Sequence, residues 1–122
     1  MPQLLKLKTF RDRRGALTVL QDDVPFTIRR VYYIYEADDQ TRGGHRHHKS
    51  AQLLIALNGR CEIYVHDGQR EHAFALESPD SGLLLHPRDW HTMKFAAGAI
   101  LLCLASELYD VADYIDEPYP AP

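Results

Sequence analysis

One segment, RGGHRHHKSAQLLIALNG at positions 42–59, constrains the fold of this chain more than any other. It places His45 and His47 two positions apart, and side chains two apart in a β-strand project to the same face. The apolar run at 51–57 has the character of a buried strand, and the Asn58-Gly59 pair after it fits a tight hairpin turn. The segment therefore predicts two imidazoles side by side on one strand, followed by a buried strand and a turn.

Short apolar or alternating segments, separated by turn residues, recur along the chain. Many short strands with regular turn spacing are typical of an all-β sandwich or barrel. Helix signals are sparse: Ser106 predicts the N-cap of a helix of one or two turns within 106–115. The tail EPYPAP is expected to end regular structure and to be loose. The strand candidates are residues 26–35, 51–57, 61–66, 82–85 and 99–104.

The composition is ordinary for a globular protein and excludes several function classes. The chain has 122 residues, of which 45% are hydrophobic and 25% charged, and this predicts one domain spanning 1–122. A net charge of −3 provides no basic surface for nucleic acid, and no apolar run reaches the roughly 18 residues that a membrane span needs. The charged N-terminus is unlike a secretory signal, so we expect a cytoplasmic location. Cys61 and Cys103 are isolated in apolar segments and are predicted to be reduced core thiols.

Two parts of the sequence resemble the two motifs of the cupins. The first holds His45, His47, Gln52 at the usual acidic position, and Gly59. The second runs from Gly82 through Pro87 to His91. This resemblance implies an all-β, cupin-type antiparallel jelly-roll barrel, also called a double-stranded β-helix.

In metal cupins the motif histidines and the acidic residue converge on one ion inside the barrel. Here the acidic position holds Gln52, whose neutral amide is a poor ligand for a transition metal. Three histidines alone can hold zinc, so a metal site stays an alternative. We expect use of the histidines without a metal and without a cofactor.

A more specific resemblance covers about residues 17–115. The chain is similar to the nucleotide-linked 4-keto-6-deoxyglucose 3,4-ketoisomerases, also called the WxcM-like cupins, with an Arg-Gly-x-His-x-His core and a Trp-His pair as the specific parts. The departures are Gly44, Arg46 and His48, where the family commonly has an aromatic residue, Ala and Lys. The matching segments are 25–35, 42–47, 57–59, 85–91, 104–106 and 109–115.

The resemblance implies an isomerase that acts on a dTDP-linked 4-keto-6-deoxyhexose and moves the ketone from C4 to C3. The C3 proton leaves to give an enediol(ate), and a proton is then delivered to C4. Histidine suits both acid and base roles near pH 7. By resemblance, His47 is the base at the sugar carbons and His45 is its partner in proton relay. No metal is required for this reaction, which agrees with Gln52.

The same resemblance suggests residues that bind the substrate. Arg30 and Arg42 are expected on the diphosphate, since a guanidinium bonds phosphate oxygens well, although both could be surface ion-pair residues. Tyr33 is expected to line the sugar pocket, although aromatic residues on strands are more often core. His48 should face away from His47. The full predicted set is Arg30, Tyr33, Tyr35, Arg42, Lys49, Gln52, Trp90 and His91, whereas His66, His72 and His86 are expected to be structural or exposed.

Three other functions stay open at this stage. A 3,5- or 5-epimerase would also begin with removal of a proton next to a carbonyl, and the known ones pair a His with an Asp. No Asp is obviously placed for this role, although Asp89 is near His91. A metal-dependent cupin dioxygenase and a sugar-binding module without enzymatic activity are the others. The resemblance also implies a homodimer, in which the alternating segment LLKLKTF at 4–10 could pair with the partner subunit.

Overall fold

The computed structural model describes residues 1–120 and confirms the expected all-β jelly roll. The described residues form twelve strands and one 3₁₀-helix of three residues, which is too short to span a membrane. The strands are β1 (Gln3–Lys6), β2 (Lys8–Asp12), β3 (Gly15–Val19), β4 (Arg30–Ile34), β5 (Thr41–His47), β6 (Gln52–Asn58), β7 (Cys61–His66), β8 (Glu71–Leu76), β9 (Ser81–Leu85), β10 (Trp90–Phe95), β11 (Ile100–Ala105) and β12 (Tyr114–Ile115), and the helix is η1 (Val111–Asp113).

Two five-stranded antiparallel sheets form the barrel, in the strand orders β1-β9-β6-β11-β4 and β12-β5-β10-β7-β8. Successive strands from β4 to β7, and again from β8 to β12, alternate between the two sheets, as in a jelly roll. Strands β2 and β3 form a separate hairpin. Side chains from both sheets meet in one apolar core, which includes Leu54 from β6, Ile63 from β7, Phe95 from β10 and Cys103 from β11.

Strand β6 is apolar on both faces because both faces are covered. Leu54 and Ala56 point into the core between the sheets, whereas Leu53 and Ile55 pack under the N-terminal part of the chain with Leu7 and Val24. This explains why the sequence shows a continuous apolar run here rather than an alternating one. The run ends in the predicted turn, where Gly59 has a φ of +70°.

The two cysteines are free and buried, as predicted. Burial raises the pKa of the Cys61 thiol to about 11 and that of Cys103 to about 12. Both thiols are therefore protonated near neutral pH and behave as apolar core groups.

The C-terminal part differs from the expectation. The helix begins after Asp110, whose side chain accepts a hydrogen bond from the main-chain nitrogen of Ala112, and Ser106 is not its N-cap. The Ser106 hydroxyl instead accepts a hydrogen bond from the main-chain nitrogen of Ala51. The Ser106 side chain therefore makes a non-local hydrogen bond instead of the helix cap that the local pattern predicts. Strand β12 then returns to pair with β5.

The two chain ends pack against the rest of the same chain, and pairing of the N-terminal segment with a partner subunit stays a prediction. At the N-terminus, β1 pairs with β9 of the same chain, with Leu4 opposite Leu83, and β2 pairs with β3. Of the tail EPYPAP, residues 121 and 122 lie outside the described residues, and the rest has no regular structure. Tyr119 is nevertheless anchored, because its hydroxyl donates to the main-chain oxygen of Arg88 at 2.8 Å.

Candidate active site

Three histidines on neighbouring strands form one cluster inside the barrel. His45 and His47 point inwards from β5, and His91 of β10 is the cross-strand partner of His45. The ring centroid of His45 lies 5.1 Å from that of His47 and 5.1 Å from that of His91. The ring centroids of His47 and His91 are 6.4 Å apart. The predicted side-by-side placement on one strand face is present, and the antiparallel register adds the third ring.

The close approach of β5 and β10 requires a glycine beside the cluster. Gly43 has a φ of +87°, a conformation that residues with a Cβ rarely adopt. A Cβ at this position would also lie 2.9 Å from the main-chain oxygen of His91. Gly43 therefore lets the two strands that carry the histidines come together.

A buried carboxylate holds His47. The Nδ1 atom of His47 lies 3.1 Å from Oδ2 of Asp113, in η1. Asp113 also accepts hydrogen bonds from the Ser50 hydroxyl at 2.6 Å and from the main-chain nitrogen of Lys49 at 2.7 Å. Burial raises the pKa of Asp113, but these donors outweigh it and the net pKa is lowered, so the group is a carboxylate near neutral pH. His47 Nδ1 therefore donates the hydrogen bond, and its Nε2 is left as an acceptor.

All three imidazoles are neutral near pH 7. Burial lowers the pKa of His91 to about 3 and that of His47 to about 4, and the neighbouring His45 adds to both effects. Burial also lowers the pKa of His45. The Nδ1 of His91 donates to the main-chain oxygen of Asp89 at 3.2 Å, which leaves Nε2 free to accept. The cluster can therefore accept protons.

A cavity of about 310 Å³ opens next to the cluster, and His45 forms part of its wall. His45 is partly exposed, whereas His47 and His91 are 3% and 1% exposed and do not line the cavity. The two histidines of β5 therefore differ in depth, and which of them is the base stays a prediction. His45 is placed to touch a ligand in the cavity, and His47 lies behind it with Asp113.

Arg30 and Arg42 supply positive charge at the same cavity. The Arg30 guanidinium lies 4.9 Å from the ring centre of Tyr32 and 5.7 Å from that of Tyr109, and its Nε is buried without a hydrogen-bond partner in residues 1–120. Tyr114 of β12 also lines the cavity, with its ring centroid 4.7 Å from that of His45. The cavity thus joins two cations to a neutral imidazole.

Gln52 is buried, and its side-chain amide is hydrogen bonded to a tyrosine. Its Nε2 donates to the Tyr32 hydroxyl at 2.9 Å, and burial raises the pKa of that hydroxyl. Residues 1–120 contain no group of three His, Cys, Asp or Glu side chains placed to hold a metal ion. The side chains around the cluster therefore do not fit a cupin metal site. Activity without a metal or cofactor stays a prediction.

Six of the eight predicted binding residues do not line the cavity: Gln52 and His91 are buried, and the other four lie elsewhere. Tyr33 and Tyr35 are on the outer face, 62% and 56% exposed, and stack on each other with centroids 5.8 Å apart. Trp90 lies on the opposite side of β10 from His91, edge-on to Tyr64. Lys49 is exposed and lines a different cavity. Conversely, the sequence pattern did not single out Tyr32, Tyr109, Asp113 or Tyr114 as site residues.

The remaining histidines divide between exposed and structural positions. His48 is exposed and faces away from His47, as predicted. His72 is hydrogen bonded to Asp67 at 2.8 Å, and His66 is buried, where it accepts a hydrogen bond from the main-chain nitrogen of Gly68. Neither is part of the cluster.

The two-sheet jelly roll with inward-facing histidines is the architecture of the cupin-type sugar isomerases. The family model described as "FdtA: WxcM-like, C-terminal" matches residues 1–119, and the chain therefore belongs to this family.

Characterised relatives span most of the chain. It is 38% identical over 117 residues to the TDP-4-oxo-6-deoxy-α-D-glucose-3,4-oxoisomerase of Aneurinibacillus thermoaerophilus, covering 93% of this chain and 84% of the relative. Among solved structures, a double variant of the QdtA 3,4-ketoisomerase from Thermoanaerobacterium thermosaccharolyticum, in complex with TDP, is 44% identical, with a TM-score of 0.91 and coverage of 95% and 87%. A His-to-Asn variant of QdtA, in complex with TDP-4-keto-6-deoxyglucose, is 42% identical with the same TM-score and coverage.

Proposed function

We propose that this protein is a sugar 3,4-ketoisomerase that converts a dTDP-linked 4-keto-6-deoxyhexose into the 3-keto isomer. The observation that carries the proposal is the neutral His45 at the wall of a cavity that also holds Arg30 and Arg42. The family membership and the relatives named as 3,4-ketoisomerases support the same reaction. The protein is thus an isomerase, and its reaction needs no external oxidant.

The reaction balances within the sugar itself. His45 removes the proton from C3, and the electrons of the C3–H bond form the enediolate. The former C4 carbonyl oxygen gains a proton, the C3 hydroxyl loses one, and a proton is delivered to C4. C3 is thereby oxidised and C4 reduced, and acid–base groups alone can carry the whole sequence.

Asp113 and His47 support this proton transfer from behind. The carboxylate fixes the tautomer of His47, so that its buried Nε2 is an acceptor near His45. A positive charge that forms on the histidine cluster is stabilised by the carboxylate. We assign His45 as the group that contacts the sugar and His47 as its partner in proton relay.

The diphosphate is proposed to bind Arg30 and Arg42. A guanidinium can give two parallel hydrogen bonds to phosphate oxygens, and the buried Nε of Arg30 has no other partner in the described chain. Two cations also offset the charge that a nucleotide sugar brings into the cavity. Lys49, Trp90 and the outer-face tyrosines are not placed to take part within one subunit.

The function is tested by incubating the protein with dTDP-4-keto-6-deoxyglucose and following the mixture by proton NMR. Conversion of the 4-keto signals into those of a 3-keto sugar is expected. Recovery of the unchanged substrate at all enzyme concentrations, with the nucleotide bound, would support a sugar-binding module instead.

A second candidate is a dTDP-sugar epimerase, and one observation favours it. Such enzymes pair a histidine with an aspartate, and His47 and Asp113 form a buried pair of this kind. The same NMR experiment separates the two functions. An epimerase leaves the ketone at C4 and inverts a neighbouring carbon.

We also propose a homodimer. Strand β4 is an edge strand and, with the residue after it, exposes Val31, Tyr33 and Tyr35 on its outer face. An exposed apolar strip on an edge strand needs a cover. Light scattering at micromolar concentration should give twice the chain mass, and a monomer mass would contradict the proposal. The cytoplasmic location and the single-domain organisation stay predictions.

A further inference from the structure

Tyr119 makes a set of contacts that the reaction outlined above does not use. The guanidinium carbon of Arg46 lies 3.9 Å from the centre of its ring, and its hydroxyl donates to the main-chain oxygen of Arg88 at 2.8 Å. The ring also lies over Gly68, where a Cβ would be 3.4 Å from the Tyr119 Cζ atom, and 5.1 Å from the His66 ring. Four residues from three other parts of the chain thus contact the Tyr119 side chain.

These contacts lead directly to His47. Arg46 precedes it in β5, and the main-chain nitrogen of Arg88 donates to the main-chain oxygen of His47 at 2.8 Å. Strand β12, just before the tail, pairs with the same two residues, with Tyr114 opposite His47 and Ile115 opposite Arg46. The C-terminal segment therefore contacts both strand β5 and the loop at Arg88, on either side of His47.

We propose that Arg46 and Tyr119 form a latch, a stacked pair that keeps the segment 113–119 closed against β5 and so positions Asp113 and Tyr114 at the histidine cluster. A guanidinium over an aromatic face is attracted to it, and more strongly where water is excluded. The Nε of Arg46 is buried without a hydrogen-bond partner in residues 1–120, and its guanidinium lies over the Tyr119 ring. Both members of the latch are positioning residues.

Besides the latch, the segment is held by the hydrogen bonds of Asp113, by one from Trp90 Nε1 to the main-chain oxygen of Asp116 at 3.3 Å, and by the short strand β12. Strand β12 has two residues, and Val111 and Tyr109, just before it, are 72% and 68% exposed. Short, exposed elements open locally at low free-energy cost. Opening here would remove the carboxylate from His47 and one wall from the cavity, while Arg30 and Arg42 would stay in place on β4 and β5.

The latch is tested by a double-mutant cycle on the turnover number, and this part of the test rests on the proposed function. Arg46→Ala and Tyr119→Ala should each lower kcat about tenfold through misplacement of Asp113, and the double variant should be no slower than either single variant. The affinity for TDP should stay within about twofold, because the arginines of the cavity are unchanged. Tyr119→Phe, which keeps the stacked ring, should retain most of the activity. Arg70→Ala, an exposed arginine at the same end of the barrel, is the matched control.

A second measurement does not depend on activity. In proton NMR spectra without substrate, the His47 Nδ1 proton that is bonded to Asp113 should give a far-downfield signal in the wild type and in Arg70→Ala, and should be lost by exchange in Arg46→Ala. An unchanged signal in Arg46→Ala, or fully multiplicative losses of kcat in the cycle, would overturn the latch. If the wild type does not isomerise the nucleotide sugar but the signal responds as described, the proposed function is wrong and the latch stands.

Discussion

His47 and Asp113 are 66 residues apart in the chain, yet the Nδ1 of one lies 3.1 Å from the carboxylate of the other in the interior of the barrel. The pairing of β12 with β5 brings them together, since Tyr114, the residue after Asp113, is the register partner of His47. The C-terminal segment thus completes a site whose histidines all come from β5 and β10.

Asp113→Asn should lower kcat by about 10²-fold or more with little change in the affinity for TDP. An amide can donate to Nδ1 of His47, which would move the imidazole proton to Nε2 and remove the acceptor that the relay needs. Steady-state kinetics together with calorimetric titration of TDP measure both quantities. Asp22→Asn, an exposed aspartate far along the chain, should leave both unchanged. Full activity in Asp113→Asn would show that the carboxylate does not act through His47.

The free energy of unfolding should fall as the pH is lowered from about 6.5 to 4. The folded-state pKa values of His47 and His91, about 4 and 3, lie below the usual value of 6.5, so the unfolded chain binds these protons first. Stability from the two groups is therefore complete above pH 6.5 and is lost on acidification, with a slope of at most about 1.4 kcal/mol per pH unit for each group. Urea unfolding at a series of pH values measures this. The double variant with both histidines replaced by Asn should have a flatter profile, and an equal slope would contradict the assignment.

Exhaustive chelation should leave the activity unchanged. Gln52 donates to Tyr32 and the donors around the cluster do not form a metal site, so the acid–base chemistry rests on the histidines themselves. Activity is measured before and after treatment with a chelator and after addition of zinc, iron or manganese. A large loss that one of these ions restores would revive the metal-dependent alternative.

Gly43→Ala should destabilise the protein by about 1–3 kcal/mol, because it combines a φ of +87° with a Cβ 2.9 Å from the main-chain oxygen of His91. Gly44→Ala is the matched control. Its φ of +79° carries a similar backbone cost, but a Cβ there meets nothing within 4 Å. Thermal unfolding of the two variants isolates the clash between the strands. Equal melting temperatures would mean that β5 and β10 can separate freely at this point.

Local patterns predicted much of the fold and the centre of the site. The alternation of a strand fixes that His45 and His47 share a face, and the two cupin-like motifs bring His91 to the same place. The same alternation separates Tyr33 and Tyr35 from Arg30 and Tyr32, but it does not say which set faces inwards. Both sets contain tyrosine, so the choice depended on which face packs against the opposite sheet.

The role of Asp113 could not be read from its neighbours in the sequence. Local signals around it indicate a short helix, and a short helix does form, but the residue acts through a strand pairing with a partner 66 positions away. The depth of a side chain below the cavity wall is a second property that the sequence does not predict. His45 and His47 share a face and a residue type, and only the packed structure distinguishes the one at the cavity wall from the one behind it.

The roles of His45 and His47 are tested most directly by exchange of the C3 proton in deuterated water. The exchange is followed by proton NMR of dTDP-4-keto-6-deoxyglucose with the wild type and with His45→Asn, His47→Asn and His48→Asn. We expect a 3-keto product with deuterium at C4 for the wild type and for His48→Asn. We expect no detectable exchange for His45→Asn and a rate reduced by about 10²-fold or more for His47→Asn, with TDP affinity changed less than about tenfold in each. Normal exchange in His45→Asn, or a ketone that stays at C4 while deuterium enters C3 or C5, would contradict this proposal.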